Sequence, residues 1–122
     1  MDDAAFLKAL ERGTFPKEDM NHRAHLRLAL LCRDNPQRAR DLLQRFTVGV
    51  GQAVKYNETL TQVWLRLVAA HSEKTVDALM RTPLADATLP LRHYSHERLW
   101  SDEARERFIE PDLLPLPAPH AF

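Results

Sequence analysis

Leu60, Val63, Trp64, Leu67, Val68 and His71 follow one another in steps of three and four. Such steps lay one continuous stripe along an α-helix; a strand, with its two-residue period, would scatter the same residues over both faces. A helix with a single apolar side gains most of its stability by burying that side, so the rest of the chain has to supply matching surfaces. Its composition does so in helical form: 19 leucines and 15 alanines stand against one isoleucine and six valines. Unbranched side chains keep rotamer freedom in a helix that β-branched ones lose. Three glycines leave little turn chemistry for hairpins. The pattern predicts an all-α fold, a compact single-domain bundle of about five helices over residues 1–110, with an extended Pro-rich tail over 111–122 that carries Pro115, Pro117 and Pro119.

Capping residues divide the bundle. Asp2 and Asp3 begin a short helix with Phe6, Leu7 and Leu10 inward, and Gly13 ends it. Asn21 caps a second helix over residues 22 to 33. At about 100° per residue, His22, His25, Leu26, Ala29 and Cys32 share its inward side, while Arg23 and Arg27 lie opposite. Asn35 and Pro36 open a third helix to residue 47, and Gly49 and Gly51 predict a loop over 48–55. The Leu60 stripe belongs to the fourth helix; one turn earlier, Asn57 falls on its buried side with Thr61, and Glu58 at the edge. Ser72 is expected to cap a fifth helix over 73–81. A connector over 82–91 follows, then Ser95 and Ser101 as successive caps of a last short helical stretch ending near Ile109.

Charge excludes some partners. The 17 basic and 17 acidic side chains balance. Residues 21–45 hold six arginines against two aspartates, but residues 93–122 hold six acids against three arginines, so the two regions neutralise each other and nucleic acid is not an expected partner. The longest uncharged apolar run, residues 28–32, falls far short of the roughly 20 residues that span a bilayer. With an acidic start in place of a signal peptide's basic region, the chain reads as cytoplasmic, with no membrane partner. Cys32, the single cysteine, reads as an inert core thiol. Trp64 and Trp100 read as apolar anchors. Arg98 and Arg105 read as partners for a carboxylate such as Asp112, locking the C-terminal segment. His93, His96 and His120 carry no fixed geometry.

Three stretches stand out together: Asn21-His22-Arg23-Ala24-His25-Leu26; Tyr56-Asn57-Glu58-Thr59-Leu60-Thr61; and Tyr94-Ser95-His96-Glu97-Arg98-Leu99 followed by Ser101, Ala104, Arg105 and Pro111-Asp112. They resemble a family of small uncharacterised bacterial helical proteins whose segments read T-H-R-A-H-L, Y-H-E-T-x-T and Y-S-x-x-R-L-x-S-x-x-A-R…P-D. The resemblance spans residues 22–112. It implies a shared helical architecture and no activity. Asn21 stands where that pattern has Thr and Asn57 where it has His, so a role that needs an imidazole at position 57 does not carry over.

The candidate site follows from side-chain direction. His22 and His25, three apart on one helix side, can touch a common partner, and the fourth helix can bring Tyr56, Asn57 and Glu58 opposite them. Three chemistries fit. His22, His25 and Glu58 could hold a divalent metal ion, which would make a metal-dependent hydrolase or oxygenase the associated enzyme class. His22, His25, Tyr56, Asn57 and Glu58 could instead line a pocket for a small organic molecule. Or the same residues could form a purely structural network in a protein-interaction or oligomerisation module, a homo-oligomer being its simplest form. Helix N-termini keep histidine neutral and fit for ligation, although their dipoles also oppose a cation. Glu58 has two readings of its own, a general base beside a histidine or a plain complement to its helix dipole.

Overall fold

Every α-helix among the described residues begins on a side chain that accepts a hydrogen bond from the backbone N–H three residues on. Asp2, Asn21, Asn35, Asn57, Thr75, Ser95 and Ser101 play this part. Each satisfies a donor that the first helical turn would leave orphaned. The computed structural model describes residues 1–118. It contains α1 (Asp3–Arg12), α2 (His22–Leu31), α3 (Pro36–Gly49), α4 (Glu58–Ala69), α5 (Val76–Leu79), α6 (His96–Leu99) and α7 (Asp102–Glu106). Short 3-10 turns lie at Lys17–Asp19, Ala53–Lys55, Pro83–Ala85 and Leu89–Arg92, and no strand occurs among the described residues. None of these helices is long and apolar enough to cross a membrane. Pro119 and His120 lie outside the described residues.

The all-α expectation holds, with seven helices among the described residues where about five were expected. Three departures have physical causes. Val48 and Gly49 belong to α3 and not to a loop; Gly49 sits in the last turn facing Gly13, where an added Cβ would lie 3.8 Å from the Gly13 Cα. The stop falls two residues later, at Gly51 with φ 71°, a left-handed conformation that glycine adopts without steric cost. Residues 72–75 are not helical, and Thr75, not Ser72, caps the short α5. Arg33 Nη2 donates to the Glu73 carbonyl at 2.9 Å and to that of Val68 at 3.4 Å, holding the segment away from the helical path. The connector after residue 82 is largely wound into its two 3-10 turns.

Two apolar cores result among the described residues, and α2 separates them. Phe6, Leu10, Phe15, Ala24, Leu28, Cys32, Ala39, Leu42 and Phe46 form the first, with Phe15 edge-on to Phe6 at 5.2 Å between ring centroids. Leu26 and Ala29 turn the other way, into a core built by Val63, Leu67 and Val68 of α4 with Leu79, Leu84, Tyr94, Leu99, Ala104 and Ile109. The single inward side expected for α2 is therefore two buried sides, and Cys32 lies on the one shared with Phe6 of α1 and Leu42 of α3. Trp100 is no core anchor: it is 46% exposed, at the end of α6.

The segment after α7 is strapped across α4 and α6. The Thr59 hydroxyl donates to the Arg107 carbonyl at 2.8 Å and accepts from the Ile109 N–H at 3.1 Å. The Tyr94 hydroxyl donates to the Ile109 carbonyl at 2.5 Å, Arg98 Nε donates to the Glu110 carbonyl at 2.6 Å, and Asp112 Oδ1 accepts from the Ser95 N–H at 2.7 Å. Arg98 thus secures this segment through a backbone carbonyl, not through Asp112, and Arg105 pairs with Asp102 of its own helix. Thr59→Val keeps the shape of the side chain and removes the bridging hydroxyl. We expect a loss of about 1–2 kcal/mol, since the buried Ile109 N–H is left unpaired. Amide exchange at Ile109 should accelerate while exchange in α1 stays unchanged. Unchanged protection of Ile109 would show that the bridge does not hold the strap.

Candidate ligand cleft

Between α2 and α4 the side chains leave a cleft of about 430 Å³. Leu28, Ala29, Leu60, Trp64, Leu91 and Leu99 supply much of its apolar wall; His22, His25, Tyr56, Asn57 and Thr61 supply polar groups, and Lys55 stands at an exposed position in the lining. His22 and His25 reach the same wall because they are one turn apart on α2, and the Asn21 cap starts that helix where both point toward α4.

Each imidazole is oriented by a backbone carbonyl. His22 Nε2 lies 2.7 Å from the Leu84 oxygen, and its ring centroid is 4.8 Å from that of Trp64. His25 Nδ1 lies 2.8 Å from the Asn21 oxygen. Burial pushes the His25 pKa below its ordinary value; the Asn21 carbonyl opposes this, and the neighbouring His22 adds to the lowering.

The residues expected opposite them divide into two groups. Asn57 lines the cleft, yet both ends of its amide are engaged: Oδ1 accepts from the Leu60 N–H at 2.8 Å and Nδ2 donates to the Leu99 carbonyl at 2.9 Å. Tyr56 also lines the cleft, but its hydroxyl donates away to Glu58 Oε1 at 2.6 Å. Glu58 is buried outside the lining. Its Oε2 accepts from Gln62 Nε2 at 2.6 Å and pairs with Arg40 Nη2 of α3 at 2.7 Å. His22, His25 and Glu58 therefore do not form the expected metal-ligand set, and no group of three or more His, Cys, Asp or Glu is placed to share an ion among the described residues. The cause is the edge position of Glu58 on α4: its side chain swings toward α3, where Arg40 meets it. Glu58 stands in the first turn of α4, as the dipole reading expects, and is ion-paired there; no histidine is among its hydrogen-bond partners in the described residues, so the general-base reading lacks its histidine.

Arg40 and Gln62 were not foreseen as part of this arrangement. Gln62 carries a local signal, four residues after Glu58 on the same helix. Arg40 carries none, since only the packing of α3 brings it near. Thr61 donates to the Asn57 carbonyl at 2.8 Å, inside the first turn of α4. No protein-family model, curated protein or solved structure matches the chain.

The network makes an alkaline prediction. Burial, joined by the hydrogen bond to Glu58, pushes the Tyr56 hydroxyl up to about 12, and burial does the same for Tyr94. These are the chain's two tyrosines. A folded pKa above the unfolded value of 10.0 gives stability that is complete below pH 10 and is lost as pH rises toward 12. Ultraviolet titration should show no phenolate absorbance near pH 10.5 in the folded protein, and its later rise should coincide with loss of helical circular dichroism. A phenolate signal appearing near pH 10 with the helices intact would contradict both assignments.

Proposed function

We propose that this chain binds a small organic molecule in the cleft between α2 and α4. His22 and His25 are the polar contacts, and Tyr56, Asn57 and Glu58 are the frame that fixes the start of α4. One observation carries the reading: an apolar-walled opening of about 430 Å³ lies between the two helices that face each other across the fold. Protein interiors seldom leave voids much larger than a water molecule, whereas small-molecule pockets run from roughly 300 to 1,000 Å³. The divalent-metal reading, and with it the hydrolase or oxygenase, lacks its third ligand, because both Glu58 oxygens are spent on Tyr56, Gln62 and Arg40. The family resemblance extends the architectural part of this proposal to relatives that carry the three motifs.

The uncharged fluorophore N-phenyl-1-naphthylamine tests it. Its emission should rise saturably at one equivalent per chain, with matching loss of tryptophan emission from Trp64 in the wall. Thr61→Phe, which places a ring in the opening, should abolish both changes while leaving the helical circular dichroism intact. The rival reading, a structural network in an interaction module, is favoured by the internal pairing of Asn57 at both ends of its amide and of both Glu58 oxygens. Absence of saturable uptake, or uptake undiminished in Thr61→Phe, would decide for it.

A further inference from the structure

The way the two imidazoles are tethered narrows the ligand class, on the reading that the cleft is a binding site. A carbonyl oxygen can only accept, so the tether from His25 to Asn21 requires the proton on Nδ1, and the tether from His22 to Leu84 requires it on Nε2. In the neutral ring this leaves His25 Nε2 and His22 Nδ1 as bare acceptors. No described group donates to either. Other polar groups of the wall are committed: Asn57 through both ends of its amide, Tyr56 to Glu58, and Thr61 to the Asn57 carbonyl. Among the described residues the cleft has no carboxylate in its lining to attract a cation. A carboxylate ligand would set its own lone pairs against those of the imidazoles, and Lys55, the cation of the lining, stands exposed, where water and salt screen its pull on an anion.

We infer that the cleft selects an uncharged, largely apolar molecule that carries an O–H or N–H donor, with His25 Nε2 accepting from it and His22 Nδ1 available to a second donor. An aromatic alcohol is the simplest member of the class.

The test compares 2-naphthol with 2-methoxynaphthalene, the same ring system with its donor capped, by calorimetric titration of the full chain. The naphthol should bind about tenfold more tightly, the scale of one hydrogen bond to an imidazole nitrogen that no described protein group pairs. In His25→Phe, which keeps an aromatic wall and removes the acceptor, the two affinities should come within about twofold. A preference that persists there is steric and overturns the inference. Long-range proton–nitrogen spectra of the wild type give a reading independent of that variant's folding. They should show His25 Nε2 as the unprotonated nitrogen, shifting with 2-naphthol and not with the ether. Equal affinities in the wild type, or an unmoved Nε2 signal, overturn the donor preference and leave the cleft standing as a binding site. Failure of both compounds to bind overturns the cleft and the donor preference together.

Discussion

Glu58→Ala should lower the unfolding free energy by about 3 kcal/mol, a large share of the roughly 5–15 kcal/mol that holds a domain of this size together. The carboxylate is 7% exposed and meets three donors at once, from Tyr56, Gln62 and Arg40. Alanine strands all three: a phenol hydroxyl and an amide lose their acceptor, and a guanidinium loses its counter-charge. The Arg40 side chain is 30% exposed, so water can take over part of its solvation, and this places the effect at the low end of what breaking a buried pair costs. Urea denaturation followed by circular dichroism measures it. The double variant Arg40→Met with Glu58→Leu should recover much of the loss, because two apolar side chains leave no uncompensated charge. A loss below about 1 kcal/mol, or a double variant worse than the sum of the singles, would show that the carboxylate is hydrated and the pairing unimportant.

Asn57→Ala should cost nearly as much, about 2–3 kcal/mol, for a different reason. One amide caps α4 through the Leu60 N–H and ties that helix to α6 through the Leu99 carbonyl. Asn57→Ser restores a capping oxygen and is too short to reach Leu99, so it should recover about 1 kcal/mol and no more. Asn57→Asp also caps, yet it turns an acceptor toward the Leu99 carbonyl in place of a donor, and should remain clearly weaker than the wild type. Equal stability of the Ser, Asp and wild-type proteins in thermal melts would mean that the Leu99 contact contributes nothing.

The helix starts were legible because a cap is a local event. Asn21, Asn35, Ser95 and Ser101 each satisfy an N–H within the same turn, and a short polar side chain before an apolar run announces it; Asn57 caps α4 in the same way, although the Leu60 stripe marks it only as a residue of the buried side. Ser72 misled because Arg33, 40 residues earlier, claims the Glu73 carbonyl, and such a contact leaves no trace in nearby sequence. The same division runs through the site. The spacing of His22 and His25 placed both on one wall, whereas the direction of Glu58 depended on an arginine from α3. The motif residues also find structural employment: Tyr94, Ser95, Arg98 and Asp112 all serve the strap, and Thr59 bridges to it from α4. Runs like these mark where distant segments are stitched together, which a reading for chemistry alone can mistake for a reaction centre.

The two cores differ in when they can be finished. Every buried residue of the one around Phe15 has been made once the ribosome has added Phe46, and of the partly buried side chains packed on it only Val50 and Leu65 come later, so that half can consolidate while translation continues. Its counterpart needs Ile109, which Thr59 meets only after 50 further residues have been added. Until then Val63, Leu67 and Val68 present an oily flank to water or to a chaperone, and vectorial synthesis makes α4 the vulnerable element of the newborn chain.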